Sequence, residues 1–582
     1  MRFAALVDVY ERLEGTTKRL EMTEQLRRLF QAVPIAQIGK VVYLTQGTLL
    51  PEFKGLEIGL AEKLVMRALA FTTGLTTGEV EGMWKRLGDM GTVAEEILSQ
   101  KKQRTLFGAP LTVRKVYDNL VGIAQASGTG SQDEKIKLLA DLLHDSTPKE
   151  ARYILRIIVG KMRLGVADMT IIDALAAAFA SKEERGHVER AYNVSSDLGT
   201  VAGVLARGGL EALEEIHLQV GIPVRAMLCE RLPGLEQVFE KLGKCALEYK
   251  YDGLRIQAHI GPGTITLFSR RLEDLTEQFP DILQELSPAF KGREAILEGE
   301  AVPIDVNTGA LLPFQEVSHR RGRKYDIAKV SEETPVHLLL FDCLYLDGQE
   351  LIERPYTERR DALERSIKTT EKVRLAETLI AEEPKDAEDF FERAIEHGCE
   401  GLIAKALDSP YAAGARGWQW IKYKRDYKAE MADTVDLVIV GAFAGRGRRA
   451  GTYGALLMTA YDPEEDLFRS VCKLGSGFDD EALFSLPEKL RRYELEGRHT
   501  RVDSRLEADQ WFEPALVLEV LGAEITLSPT HTCAFGAIRE GSGLAVRFPR
   551  FTGRWRRDKG PRNATTDDEI LSMYRSQLKK VG

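Results

Sequence analysis

The chain has 582 residues, 44% of them hydrophobic and 29% charged, with a net charge of −9. That length holds about three or four domains, and the acidic balance excludes a uniformly basic nucleic-acid coat, so any grip on phosphates has to be local. Six scattered cysteines without a CxxC pair, and no apolar run of membrane-span length, point away from a disulfide framework, a structural zinc module and a transmembrane protein.

The first ten residues, MRFAALVDVY, are charged and amphipathic and lack a signal-peptide core, so the sequence reads as cytoplasmic. Up to about residue 218, apolar residues recur at helical spacings, as in Leu6-Val7-Tyr10-Leu13 and Ile171-Ile172-Ala174-Leu175-Ala178-Phe179. Glycine turns separate these segments, which predicts an all-α domain over residues 1–218. Within it, Gly160-Lys161-Met162-Arg163-Leu164-Gly165-Val166 is a glycine-bounded turn whose cations are either merely exposed or touch phosphates.

The texture changes after Pro223. Residues 246–260 alternate as a strand, Gly261-Pro262-Gly263 makes a turn, and 264–269 completes a hairpin. A helix over 386–397 interrupts further strands, so 219–425 reads as an α+β domain. From Asp426 the chain turns β-rich, with strands expected at 435–442 and 516–525, and 426–582 suits a small β-barrel. Its end is basic: residues 547–582 hold ten Lys and Arg against four Asp and Glu.

The most informative segment is Glu248-Tyr249-Lys250-Tyr251-Asp252-Gly253-Leu254-Arg255. Lysine is otherwise a solvated surface residue, and one in mid-strand between tyrosines points to a covalent catalyst. The pattern K-x-D-G-x-R arises by chance in fewer than roughly one chain in a hundred of this length. Five more strand-like segments carry charges among apolar neighbours: Leu267 to Arg271, Ile296 to Val302, Leu338 to Asp342, Glu400 to Lys405, and Trp420 to Lys424. Alternation puts Glu248 with Lys250, Glu298 with Glu300, and Lys422 with Lys424 on shared faces. Charges so placed are costly unless they line a wet pocket. One nucleophilic lysine, several carboxylates and permanent cations suit nucleotidyl transfer. The amine attacks an α-phosphate, neighbouring cations favour its deprotonated form, carboxylates hold Mg²⁺, and cations steady the phosphoryl oxygens in flight. There is no GxxxxGK[ST] phosphate loop.

In order and wording these segments resemble the covalent nucleotidyltransferases, and among them the ATP-dependent DNA ligases of the archaeal and eukaryotic replicative type. The likeness covers nearly the whole chain. Arg547-Phe548-Pro549-Arg550-Phe551 is similar to the family's last motif, Val438 to Arg449 to its barrel-domain loop, and Gly160 to Val166 to a DNA-contacting loop. The resemblance implies a helical DNA-binding domain, an adenylation domain and an OB-fold domain. It also implies that Lys250 takes AMP as a phosphoramidate, that Glu248 recognises the adenine amino group and that Phe341 stacks on the base. Arg255 and Arg270 would contact ribose and phosphate, Glu300 the ribose or a metal, and Glu400 a metal. Arg416, Lys422 and Lys424 would hold phosphates, and Arg547 and Arg550 would orient pyrophosphate. Lys161, Arg163, Arg446 and Arg448 would touch DNA. Glu298 stands where the family often has Asp.

The implied cofactors are ATP and Mg²⁺, with Mn²⁺ as a substitute. The implied substrate is nicked duplex DNA met by a monomer near the nucleoid, in replication, repair and recombination. A sliding clamp is a partner such a ligase could use, although no docking peptide stands out. Blander readings stand beside these: Glu300 and Glu400 as ion-pair partners, Phe341 and Trp420 as core, and residues 445–449 as a solvated turn. The residues also leave open an RNA ligase, a capping guanylyltransferase or a non-catalytic nucleic-acid-binding scaffold.

Overall fold

The computed structural model describes residues 1–100, 110–304, 311, 314–318, 320–323, 325–397, 399–424, 433–445, 451–522, 524–528, 530–538, 540–547 and 549–579. They fall into two compact units, Met1–Val80 with Ala94–Arg425, and Glu81–Val93 with Asp426–Gly582.

The first unit opens with helices, from Phe3–Glu14 through Leu198–Glu214. Their apolar residues at helical spacing turn inward: Leu6, Tyr10 and Leu13 are fully buried, and the Tyr10 ring lies 5.4 Å from that of Tyr153. The helix Pro148–Ile158 starts in a reciprocal cap between Thr147 and Glu150. It runs out into a turn in which Gly160, Arg163 and Gly165 all have positive φ, at 66°, 58° and 69°. Met162 and Leu164 are buried and pin this turn, which leaves the alternate residues Lys161 and Arg163 exposed.

The rest of this unit is built on β1 (Leu228–Arg231), β2 (Cys245–Lys250), β3 (Leu254–Gly261), β4 (Thr264–Ser269), β5 (Ala295–Pro303), β6 (Val336–Leu346), β7 (Gln349–Glu350), β8 (Val373–Leu375), β9 (Thr378–Ala381), β10 (Gly401–Ala406) and β11 (Arg416–Lys424). They make a five-stranded sheet ordered β1-β11-β10-β2-β9 and a six-stranded sheet β4-β3-β5-β6-β7 with β8 beside β6. The β3–β4 hairpin forms as the turn residues require, with Gly261 opposite Thr264. The single strand expected over 246–260 is instead broken: β2 ends at Lys250 in one sheet and β3 begins at Leu254 in the other. Gly253 permits the crossing, since a Cβ there would lie 2.5 Å from the Ala301 carbonyl oxygen and 2.9 Å from Cγ of Glu300.

The six-stranded sheet is held to the helix Tyr356–Ser366 by a fully buried ion pair. Arg359 Nε and Nη2 donate to the two carboxylate oxygens of Asp342 at 2.8 and 3.0 Å, and Nη1 donates to the carbonyls of Arg354 and Ser409. This fork fixes β6 at the residue that follows Phe341.

In the second unit β12 (Val435–Ala444), β13 (Tyr453–Asp462) and β14 (Leu467–Leu474) form a meander. The strand Val517–Leu521 pairs with β12 and with Arg550–Trp555. A parallel bridge from Ser476 to Arg550 closes the circle, with Phe551 N donating to the Ser476 carbonyl at 2.9 Å. This order, with the helix Asp480–Leu490 between the third and fourth strands, is the OB-fold barrel. Gly477 makes the seam possible: its φ is +90°, and a Cβ would meet the Phe551 carbonyl oxygen at 2.2 Å. The strand expected over 516–525 divides, its second part Glu524–Ser528 pairing with Gly543–Arg547 outside the barrel circle. Among the described residues no helix is long and apolar enough to cross a membrane.

Arg359→Met leaves Asp342 buried without its cation and should cost about 3–5 kcal/mol. Calorimetry of the full chain should show the transition of the first unit shifted down; an unmoved transition would contradict the role given to this pair.

Candidate active site

The middle strand of the five-stranded sheet sets the site by register. Gly401 of β10 stands opposite both Lys250 and Lys424, Ile403 opposite both Glu248 and Lys422, and Lys405 opposite Ala246 and Trp420. Alternation turns this row to one side, where it lines a cavity of about 570 Å³ shared with Arg255 of β3, Glu300 of β5 and Phe341 of β6. The other face is apolar: Tyr249 packs on Phe390 of the helix Pro384–Glu396 at 4.6 Å between centroids. The tyrosines flanking Lys250 therefore belong to the core. Gly401 has φ +146°, and a Cβ would lie 2.3 Å from the Tyr423 carbonyl oxygen, so only glycine lets the three strands close up here.

Glu248, Lys250, Arg255, Arg270, Glu300, Phe341, Glu400, Arg416, Lys422 and Lys424 all border this cavity. Arg550 is exposed at the start of its strand in the second unit, where Arg547 ends the strand Gly543–Arg547. Lys161 and Arg163 lie on the turn after Pro148–Ile158, and Arg446 and Arg448 lie outside the described residues.

Lys250 is ion-paired with Glu400, which also holds Lys424 at 2.7 Å. Burial favours the neutral amine of Lys250, but the carboxylates of Glu400, Glu300 and Asp252 outweigh it and hold the amine above the usual lysine value. This corrects the expectation that cations would leave that amine neutral: its nearest charges are acids. Repulsion acts instead on Lys422, which burial, Lys424, Lys250 and Arg416 together hold below the usual value. Burial pushes the Glu300 carboxyl up to about 7 despite Lys250 and Arg255, whereas Lys250 and Lys424 overcome burial to keep Glu400 low. Burial and the nearby Glu400 raise Asp252.

Among the described residues no three His, Cys, Asp or Glu side chains converge as a metal cage. The donors present are hard carboxylates around an open cavity. That suits an ion such as Mg²⁺, which binds through one or two carboxylates plus substrate phosphates.

At the other end of the row Glu248 is 2% exposed. It accepts from the Tyr356 hydroxyl at 2.5 Å and from Lys405 Nζ at 2.6 Å, with Arg360 at 3.6 Å. Arg255 donates to Glu298 at 2.6 Å, to the Met227 carbonyl at 2.8 Å and to the Tyr411 hydroxyl at 3.2 Å. Glu298 is thereby a buried partner of Arg255 rather than a cavity wall. Trp420 is packed, as expected of it, edge-on to Phe341 and Tyr411, and it also borders the cavity. Lys405, Tyr356, Arg360 and Asp252 were not singled out from the sequence. Of these, Asp252 stands in the K-x-D-G-x-R pattern and Lys405 in the charged segment Glu400 to Lys405, while Tyr356 and Arg360 carry no signal.

Glu400→Gln removes the largest attraction on the Lys250 ammonium, so its amine should lose the proton at lower pH. The pH profile of acetic-anhydride labelling at Lys250, read by peptide mass, should move to lower pH; an unmoved profile would sink this account of the charge balance.

The sequence matches three family models: DNA ligase N terminus over residues 2–176, ATP dependent DNA ligase domain over 226–424, and ATP dependent DNA ligase C terminal region over 449–559. It is 54% identical to a DNA ligase 2 of Thermofilum pendens, covering 99% of this chain and 98% of that protein. It is 50% identical to a DNA ligase of Staphylothermus marinus over the whole of both chains. A solved structure called Pmar-Lig_PreS3 shares the fold with a TM-score of 0.53 at 17% identity, over 95% of this chain and 99% of that one. On these matches and this site, the chain belongs to the ATP-dependent DNA ligase family.

Proposed function

We propose that this ligase seals nicks in duplex DNA with Lys250 as its covalent nucleophile. The observation that carries the reading is the pairing of Lys250 and Lys424 across Gly401, which sets a lysine amine, the Glu400 carboxylate and a second cation at one end of a cavity sized for a nucleotide. Lys250 Nζ, having given up its proton to solvent water, attacks the α-phosphorus of ATP. An N–P bond forms as the bond to pyrophosphate breaks. The 5′-phosphate oxygen of the nick then takes the AMP and the N–P bond breaks. Finally the 3′-hydroxyl attacks that 5′-phosphorus, loses its proton and releases AMP.

Glu248 accepts the adenine amino group and Phe341 stacks on the base, while Arg255 and Arg270 reach the ribose and phosphate. Arg416, Lys422 and Lys424 spread the charge of the phosphate oxygens in flight. Glu300 and Glu400 hold Mg²⁺, or Mn²⁺ in its place, and the ion neutralises phosphate charge when bound. Arg547 and Arg550 of the OB-fold domain orient the leaving pyrophosphate.

In this reading residues 1–218 grip DNA, 219–425 carry the adenylation site and 426–582 form the OB-fold domain. The protein works as a monomer on nicked duplex DNA, with Lys161, Arg163, Arg446 and Arg448 on phosphates. It acts at the nucleoid in the cytoplasm during replication, repair and recombination, and a sliding clamp is its proposed partner.

Incubated with ATP and Mg²⁺, the chain should gain one AMP by intact mass, and Lys250→Ala should gain none while still binding nicked duplex. Retained AMP in that variant would refute the assignment. The double change Lys161→Ala, Arg163→Ala should weaken binding equally across DNA sequences and lower the log–log salt slope by about 1–2. Fluorescence anisotropy between low and moderate salt measures this, and an unchanged slope would remove both residues from the DNA contact.

A further inference from the structure

We infer that Lys405 is the positioning residue that makes this cavity select a 6-aminopurine, because it holds Glu248 as an acceptor and ties that carboxylate to Phe341. The inference rests on the adenylation reading and deepens it.

Lys405 and Glu248 are 1% and 2% exposed, and the Lys405 Nζ lies 2.6 Å from Glu248 Oε2. The same nitrogen donates to the Phe341 carbonyl at 3.1 Å. Ring faces surround it, with Trp420 at 4.4 Å and Phe341 and Tyr356 each at 4.9 Å. A buried lysine whose ammonium touches one carboxylate, one carbonyl and three rings is a built feature. Its place follows from register. Lys405 stands opposite Ala246, whose small side chain leaves room for it, and one pleat from Ile403, which faces Glu248. Two groups assigned to the base, one to its edge and one to its face, are therefore set by a single nitrogen.

The charge of Glu248 decides what it can read. A carboxylate accepts hydrogen bonds and cannot donate one. It matches the 6-amino group of adenine and opposes the 6-oxo group of hypoxanthine or guanine, which is also an acceptor. With Lys405 gone, Glu248 loses its closest cation and its link to the Phe341 carbonyl, keeping only the Tyr356 hydroxyl and Arg360 at 3.6 Å. The carboxylate is then free to turn away from the edge of the base, and the discrimination against a 6-oxo group that its fixed acceptor oxygens provide falls.

The test is single-turnover nucleotidylation of the full chain by ATP or by ITP in separate reactions, with intact mass reading the fraction of chain that carries an adduct in each. Lys405→Met should lower the ATP-over-ITP preference in kcat/KM by about tenfold or more. The change should come through a higher KM for ATP, with the maximal rate within about threefold of the parent. Lys405→Arg should restore part of the preference. Tyr356→Phe, which removes one donor to Glu248 at almost constant volume, should move the preference the same way by less, and it carries the test if Lys405→Met does not fold. An unchanged ATP-over-ITP ratio, with or without a fall in maximal rate, would make Lys405 a packing residue and overturn the inference. A parent chain that takes no AMP from ATP would instead overturn the adenylation reading beneath it.

Discussion

Strand β10 fixes the chemistry by fixing a register. Because Gly401 faces Lys250 on one side and Lys424 on the other, Glu400 sits within reach of both ammonium groups. Two residues along, Ile403 separates Glu248 from Lys422, and two further on Lys405 comes between Ala246 and Trp420. A shift of one residue in either pairing would turn these side chains toward the helix Pro384–Glu396, where Tyr249 and Phe390 pack, and would bring apolar groups into the cavity.

Three buried charges in and beside the cavity are each answered by a specific opposite charge. Arg255 answers Glu298, Lys405 answers Glu248, and Arg359 answers Asp342. Such pairs add little net stability because desolvation offsets their attraction, but losing one member is expensive, so they hold geometry more than they raise stability. In this protein all three bear on Phe341: Arg255 lies over its ring at 5.4 Å, Lys405 binds its carbonyl, and Asp342 is its chain neighbour.

Much of the site could be read from the sequence because its information is local. K-x-D-G-x-R located the lysine, and period-two alternation put Glu248 with Lys250 and Lys422 with Lys424, all of which border the cavity. What escaped depends on partners far along the chain. The break after Lys250 was hidden because Tyr251 to Ile260 continues a strand-like pattern. The crossing rests on how closely Gly253 approaches Glu300 and Ala301. The protonation bias of Lys250 was misjudged because the sequence shows how many cations the motifs bring but not which charge lies nearest. Tyr356 and Arg360 gave no signal, since they come from a helix more than a hundred residues beyond Glu248. The β-rich texture points to a small barrel and the family resemblance to an OB fold, whereas the seam at Ser476 and Gly477 carries no local signal, because it depends on the approach of Phe551.

The ion pair between Lys250 and Glu400 also has a protective side. An amine kept as an ammonium has no lone pair to offer, so the resting protein is guarded against wandering aldehydes, acyl phosphates and other cellular electrophiles. Withdrawal of the Glu400 charge would ease loss of that proton.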